Sequence, residues 1–411
     1  MPNSQKYIAL FSLYWVIFLT SFGYFLVIPV LLDTIANPHA GIFSTHTIAA
    51  LGEYFYATAL AVGPIAGFIL APIVGRLSDK LGRKQILLAC TFLALCSLFG
   101  EAYAIALHNP LLFIVAIGIN GISSNTQPIA QAAISDISRI KRARAIRFSI
   151  DGFFITLGML LGPIAGQYLS DNQLIPWFNH TTPFWIAGMM SLIVLCILFF
   201  VLPETHKTTK SQQHFSLYDI PASFLETLKI KPSLLRLLIA FFCAQSAWAQ
   251  FYQYVGLYFT KHLNIAHAIT ANYYAAMGAA MSFGLLIIYP TTVKYIPMRT
   301  SAFYCFVISA LCMFLVPLAK QSWELWTLGV IASIFIGLYF PTLLTLFSDL
   351  ATESQQGWIM ALSGALIGIA WLFTGFTAVG LQHISTVLPL VVSGLLLSIS
   401  STLMHHDNKL I

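Results

Sequence analysis

Apolar residues along this chain neither alternate with polar ones, as in a half-buried strand, nor keep to one stripe of a helix; they run on for twenty or so residues at a time. Such runs occupy residues 8–31, 50–74, 85–107, 111–134, 147–169, 183–202, 234–258, 268–290, 300–318, 324–347, 357–380 and 384–404. Each is close to the ~20 residues that a helix needs to cross a ~30 Å hydrocarbon core. The pattern predicts an all-α membrane protein of 12 transmembrane helices. The longest polar interruption, 203–233, follows the sixth run and is rich in Lys, Thr, Ser and Gln, with an amphipathic piece near Leu217–Lys229. The chain is therefore expected to divide into an N-terminal six-helix bundle over 1–202, a linker over 203–233 and a C-terminal six-helix bundle over 234–411. Two pseudo-symmetric halves of this kind hold a central site near the bilayer midplane.

Composition sharpens this reading. Hydrophobic residues make up 58% of the 411 and charged ones only 8%, against roughly a quarter charged in a soluble domain. No water-facing surface can be built from so few charges. The first run is longer than the apolar part of a signal peptide and lacks a small-residue cleavage site after Pro29, so it reads as the first span. All six cysteines lie within predicted spans, where they suit apolar packing; neither a disulfide framework nor a metal site is indicated, and no cofactor is called for.

Charge sets an orientation. With loops assigned alternately to the two sides, all 20 basic residues except Lys261 and Lys320 fall on one side. The positive-inside rule makes that side the cytoplasm and places both termini there. The net charge of +6 is thus a topology signal and gives no reason to expect nucleic acid as a partner. Trp177, Trp185, Trp323 and Trp326 fall near outer helix ends, as in an interfacial aromatic belt.

Between the second and third runs stands Gly75-Arg76-Leu77-Ser78-Asp79-Lys80-Leu81-Gly82-Arg83-Lys84. Gly75 lets another helix approach closely, Gly82 permits a tight turn, and Asp79 can face the positive end of a neighbouring helix. Arg83 can pair with a carboxylate from elsewhere, and the fourth run ends in one, Ala132-Ala133-Ile134-Ser135-Asp136. The fifth run carries Gly158-Met159-Leu160-Leu161-Gly162-Pro163-Ile164-Ala165-Gly166, a row of small residues suited to backbone-to-backbone packing, with a proline that bends the span. Leu202-Pro203-Glu204-Thr205 closes the sixth.

These segments resemble the major facilitator superfamily. The loop resembles its G-x-L-x-D-x-x-G-R-K/R motif, residues 158–166 resemble the G-x3-G-P-x2-G signature of its exporters, and 70–166 as a whole resembles the tetracycline/proton antiporter branch. The resemblance implies the major facilitator fold and a secondary active transporter of the cytoplasmic (inner) membrane, multi-pass and monomeric. Such a protein moves a small organic solute by alternating access, outward in this branch, in exchange for protons. It further implies that Gly75, Asp79, Gly82, Arg83, Asp136, Gly158, Gly162, Pro163 and Gly166 serve gating and conformational change. The chain departs from the branch at two places: Thr20 stands where an acid is usual in the first span, and the apolar Val115-Ala116-Ile117 where an arginine is usual in the fourth.

Both departures bear on proton coupling, because a buried carboxyl is what carries the proton. Asp151, one turn inside the fifth run, is the candidate to replace it, with an i,i+4 ion pair to Arg147 as the structural alternative. Glu53, Glu101 and Glu324 sit near outer span ends, where solvated positions are expected. For the cavity, Asn120, Ser124, Gln127 and Gln131 form one stripe if the fourth span is a single helix. Gln245, Trp248, Gln250, Tyr252 and Tyr254 cluster in the seventh run, and Tyr24, Tyr339 and Trp371 lie well inside theirs. A neutral lining of amides and aromatics suits an amphipathic or hydroxyl-rich compound better than a strongly charged ion. An importer of a nutrient or metal-chelating metabolite with the same fold stays open as an alternative; a polytopic membrane enzyme is disfavoured, since no nucleophile, metal cluster or acid pair gathers at a membrane face.

Overall fold

The computed structural model describes residues 3–36, 49–138, 140–206, 232–262, 267–351 and 355–406. Most of the linker, including Leu217–Lys229, lies outside them. Every regular element among the described residues is helical. In chain order these are α1 (Asn3–Ala36), α2 (Ala49–Leu81), α3 (Arg83–Ala106), α4 (Pro110–Ser123), α5 (Thr126–Ile137), α6 (Lys141–Leu169), α7 (Thr182–Cys196), α8 (Pro232–His262), α9 (His267–Phe283), α10 (Tyr289–Tyr295), α11 (Met298–Leu315), α12 (Ser322–Leu350), α13 (Gln356–Ile384) and α14 (Leu388–His406). One wider, π-helical turn extends α7 over Ile197–Val201, and another joins α9 to α10 over Gly284–Ile288.

Ten helical stretches among the described residues are long and apolar enough to cross a membrane, and Leu388–Met404 is a shorter one. The remaining expected span is the pair α4 and α5. Apolar surface is not confined to the interior: Thr182–Val201 has a mean hydropathy of 2.6, yet only 28% of its most apolar window is buried within the protein. Apolar side chains left outside a packed interior are what lipid requires. The protein is a multi-pass membrane protein.

Two expectations are corrected. Residues 75–80 are not a loop: α2 continues to Leu81, and Gly82 alone separates it from α3. No residue before Gly82 breaks the helix, and Gly82 turns the chain with φ 103°, a value natural only to glycine. The fourth span is not one helix. It breaks at Ser124–Asn125, because four successive side chains compete for the backbone carbonyls three residues back: Ser123 Oγ donates to the Asn120 carbonyl, Ser124 Oγ to Gly121, Asn125 Nδ2 to Ile122 and Thr126 Oγ1 to Ser123, at 2.6–3.0 Å. Pro128 follows with no N–H to offer. Asn120 and Ser124 consequently stand at the end of one helix while Gln127 and Gln131 stand in another.

Contacts group the chain into two units. The first comprises Met1–Ile137, Leu157–His214 and Ser354–Ala365, the second Ser138–Thr156, Phe215–Glu353 and Leu366–Ile411. Within the first, α3 packs on α4 and α7, α1 on α7 and α2 on α4, around Leu26, Leu98, Ala102, Phe113 and Phe184. Glycine is required where helices meet backbone to backbone. A Cβ on Gly121 would overlap the Gly63 carbonyl, and one on Gly67 would stand 2.7 Å from the Gly121 carbonyl oxygen. Within the second unit, α14 packs on α8 and α11, and α12 on α9 and α11, with Phe241, Tyr273, Tyr289, Phe306 and Tyr339 fully enclosed.

Gly121→Ala is therefore expected to lower the unfolding temperature in detergent, whereas Gly368→Ala, whose Cβ would meet nothing within 4 Å, is expected to leave it unchanged or raise it slightly. Equal effects of the two substitutions would contradict the α2–α4 contact.

Candidate functional site

At the turn between α2 and α3 the Arg83 side chain is completely enclosed. Its Nε donates to Asp136 Oδ2 at 2.8 Å, and its Nη1 to Ser78 Oγ at 2.8 Å and to Asp79 Oδ1 at 2.7 Å. Three segments supply these groups: the last turn of α2, the start of α3 and the end of α5. Asp79 is also a helix cap. It accepts from the backbone N–H groups of Gly357 at 2.9 Å and Trp358 at 3.1 Å, so a carboxylate sits on the positive end of α13. The approach needs two glycines: a Cβ on Gly75 would lie 2.8 Å from the Gly357 carbonyl oxygen, and one on Gly357 would strike the Arg83 guanidinium. Ser135 Oγ adds a bond to Gln356 Oε1 at 3.2 Å. Asp136, Arg83, Asp79 and the first turn of α13 thus form one continuous polar knot within the first unit.

The segment after α7 closes over this knot. Glu204 Oε1 accepts from Arg83 N at 3.0 Å and Oε2 from Lys84 N at 3.1 Å, capping α3. A Cβ on Gly82 would stand 2.5 Å from Glu204 Oε2, a second reason for glycine there. Glu204 folds its own chain as well, accepting from Thr205 N and His206 N at 2.9 Å. That turn brings His206 Nδ1 to 3.5 Å from Asp136 Oδ2. The hydrogen bond with Asp136 raises the imidazole pKa above its ordinary value, with burial and the Arg83 charge opposing. Neither residue was a sequence-level candidate. Glu204 was visible only as part of a family echo, and His206 not at all.

The small residues of α6 do what their spacing suggests. Cβ atoms on Gly158 and Gly162 would lie 2.7 Å from Phe22 N and Phe25 Cβ, and one on Gly166 would overlap the Leu26 carbonyl. With Pro163 inside the helix, this seam holds α6 against α1.

In the second unit Asp349, at the end of α12, pairs with Lys141 Nζ at 2.6 Å and with Arg144. Asp349 stands in Phe347-Ser348-Asp349-Leu350, and Asp136 in Ile134-Ser135-Asp136-Ile137. The two segments share the order apolar residue, Ser, Asp, apolar residue, each at the end of its helix. Asp151 is completely buried in the part of α6 that belongs to this unit.

The cavity candidates separate into groups. In the first unit a small cavity is lined by Thr20, Tyr24, Thr91, Thr126, Ser191 and neighbouring apolar residues. Of the sequence candidates Tyr24 is there; Gln131 is buried in the packing of its unit. In the second unit Tyr252 gathers Trp248, Tyr274 and Trp371, with ring centroids 5.5, 4.6 and 5.7 Å away, and Gln253 Nε2 donates to the Trp371 carbonyl at 3.1 Å. Tyr274 was not foreseen. The other candidates are engaged inside the unit: Gln250 donates to the Pro389 carbonyl and accepts from Thr377, Tyr254 donates to the Thr386 carbonyl, and Tyr339 packs on Phe306 and donates to the Ala244 carbonyl. Gln245 is buried. Glu101 overturns its expectation. It is not solvated but 2% exposed. Glu324 accepts from the Lys320 and Gln321 N–H groups and caps α12, while the Glu53 side chain lies outside those described. Among the described residues no three His, Cys, Asp or Glu side chains are grouped to hold a metal ion.

Helices with apolar outer faces and polar groups gathered into knots at helix ends are those of a multi-pass membrane protein. The chain belongs to the Major Facilitator Superfamily, whose family profile matches residues 10–404. It is 26% identical over 352 residues to the quinolone resistance protein NorA of Staphylococcus aureus, covering 84% of this chain and 83% of that one. It is 32% identical over 173 residues to the class C tetracycline resistance protein of Escherichia coli, a match that takes in 41% of this chain and 40% of that one. Among solved structures the human organic anion transporter MFSD10 superposes with a TM-score of 0.84 at 16% identity, covering 98% of this chain and all of that one. The proton:xylose symporter XylE superposes at 0.79 and 15%, covering 97% and 95%.

The His206 contact has a pH signature. Because its pKa is raised in the folded protein, the stabilisation it contributes is fully present below the ordinary value of about 6.5 and is lost as pH rises through the folded-state value. The melting-temperature difference between wild type and His206→Gln should be largest at mildly acid pH and vanish in alkali. A difference independent of pH would contradict the ion pair with Asp136.

Proposed function

We propose that this protein exports a small amphipathic organic compound across the cytoplasmic membrane, both termini facing the cytoplasm and a single chain forming the functional unit. The halves 1–202 and 234–411, joined by 203–233, rock about a central site. One observation carries the reading: the enclosed Arg83, tied to Asp79, Asp136 and through Asp79 to the first turn of α13, is a latch that holds one end of the protein closed and must break when that end opens. The α1–α6 seam at Gly158, Gly162 and Gly166 acts as the bearing on which helices slide, and Pro163 lets α6 flex. Export is supported by the relatives, which are named for resistance to quinolones and tetracycline. Tyr24 in the first half and Tyr252, Trp371 and Gln253 in the second are the substrate contacts; Asn120, Gln131, Gln245, Gln250, Tyr254 and Tyr339 act by holding helices together. The importer alternative is favoured by Thr20, since an export antiporter of this branch carries an acid at that place.

Direction is read from vesicles of both orientations loaded with a pH gradient and offered tetracycline and a quinolone. Gradient-driven accumulation inside inverted vesicles is the expected result. Accumulation confined to right-side-out vesicles, or none of either compound in either orientation, would overturn the export reading.

A further inference from the structure

Glu101 is enclosed, 2% exposed, five residues before the end of α3 at Ala106, about 27 Å along the helix from Arg83 at 1.5 Å per residue. Asn120 Nδ2 donates to its Oε1 at 2.9 Å, and among the described residues no cation pairs with it. Among the described residues, the elements packed on α3 offer no compensating charge near it. Described charged side chains on α2 (Arg76, Asp79, Lys80), on α5 (Asp136) and on α3 itself (Arg83, Lys84) all lie at the Gly82 end; α4 carries none, α7 has only the Cys196 thiol at its far end, and Cys90, Cys96 and Tyr103 complete the titratable groups of α3. A carboxylate kept from water with one neutral donor is costly, so an enclosed acid of this kind asks for a reason beyond packing.

The break in the fourth span connects this carboxyl to the cavity. Asn120 Oδ1 accepts from Ser123 Oγ at 3.0 Å, and the Ser123 carbonyl accepts from Thr126 Oγ1 at 2.8 Å. Thr126 lines the cavity beside Thr20, as do Leu98, one turn before Glu101, and Thr91, whose buried hydroxyl has no hydrogen-bond partner among the described residues. Asn120 and Thr126 both touch Ser123, so the break in the fourth span stands between the cavity and the acid.

We infer that Glu101 is the proton-carrying carboxyl of this transporter, standing in for the acid that Thr20 replaces and placed one turn beyond Leu98 in the wall of the Thr20 cavity. The proton binds at the Glu101 carboxylate and leaves from the same oxygen; no other bond changes. This rests on the export reading above, with the proton gradient as its driving force, but its first test does not require a substrate.

Infrared spectroscopy of the purified protein in lipid should reveal a protonated carboxyl C=O band that shifts in D2O, fades as pH is raised, and is missing from Glu101→Gln, in which the amide oxygen still accepts from Asn120. A carboxyl band unchanged in Glu101→Gln, or lost instead from Asp151→Asn, would overturn the inference. In the vesicle assay, Glu101→Gln should reduce gradient-driven accumulation to the level of empty vesicles while leaving energy-independent exchange intact. Loss of both, or of neither, would equally overturn it. Wild-type vesicles that accumulate nothing would undo the export reading alone, with the infrared result still deciding this one.

Discussion

The buried guanidinium of Arg83 is the constraint around which the first unit is arranged. A cation sealed from water must be surrounded by acceptors, and here they arrive from Ser78 and Asp79 on α2 and Asp136 on α5. One donor, Nη2, has no hydrogen-bond partner among the described residues. Removing one partner of such a cluster costs about 3–5 kcal/mol, because an uncompensated charge is left behind, whereas the intact cluster is worth much less than that net. That asymmetry suits a latch: it holds firmly when complete yet is not so stable that a conformational cycle cannot open it. The geometry around it follows from the same need. Gly75 and Gly357 are small so that α13 can bring its N–H groups to Asp79, and Gly82 is glycine because the chain must turn back within one residue beneath Glu204.

Much of this was legible in the sequence. Uninterrupted apolar runs identify helices because a bilayer leaves the backbone no other way to satisfy its hydrogen bonds while crossing, and the Gly75–Lys84 motif pointed to a close helix approach, a tight turn and an arginine seeking a carboxylate. What stayed hidden depends on distance along the chain. Nothing in Leu202–His206 announces that Glu204 caps a helix 120 residues earlier, or that His206 reaches Asp136. The fate of the amides was also hidden: Gln250 looks the same in sequence whether it faces a cavity or, as here, has both ends bonded inside its unit.

The fourth span shows how local chemistry can defeat a periodic reading. Hydropathy and length described residues 111–134 as one helix, and on one helix Asn120, Ser124, Gln127 and Gln131 would share a face. The run Ser123-Ser124-Asn125-Thr126 was the warning, since four short polar side chains in succession can each replace a helical bond with their own. Once the helix breaks, the acid near its partner changes meaning: Glu101, expected to be solvated at a span end, is instead sealed against Asn120.

The central claim is that the Arg83 knot is a latch, closed here and opened during transport, and it is tested most directly by the distance it controls. Lys80 and Gln355 are exposed residues flanking it on α2 and before α13. Spin labels on cysteines at these two positions, with the exposed Cys96 and Cys196 replaced by serine, report that separation by pulsed electron paramagnetic resonance. A single short distance in the otherwise wild-type protein, joined in Asp79→Asn by a second, longer population, is the result this account predicts; an unchanged distribution in Asp79→Asn would contradict it.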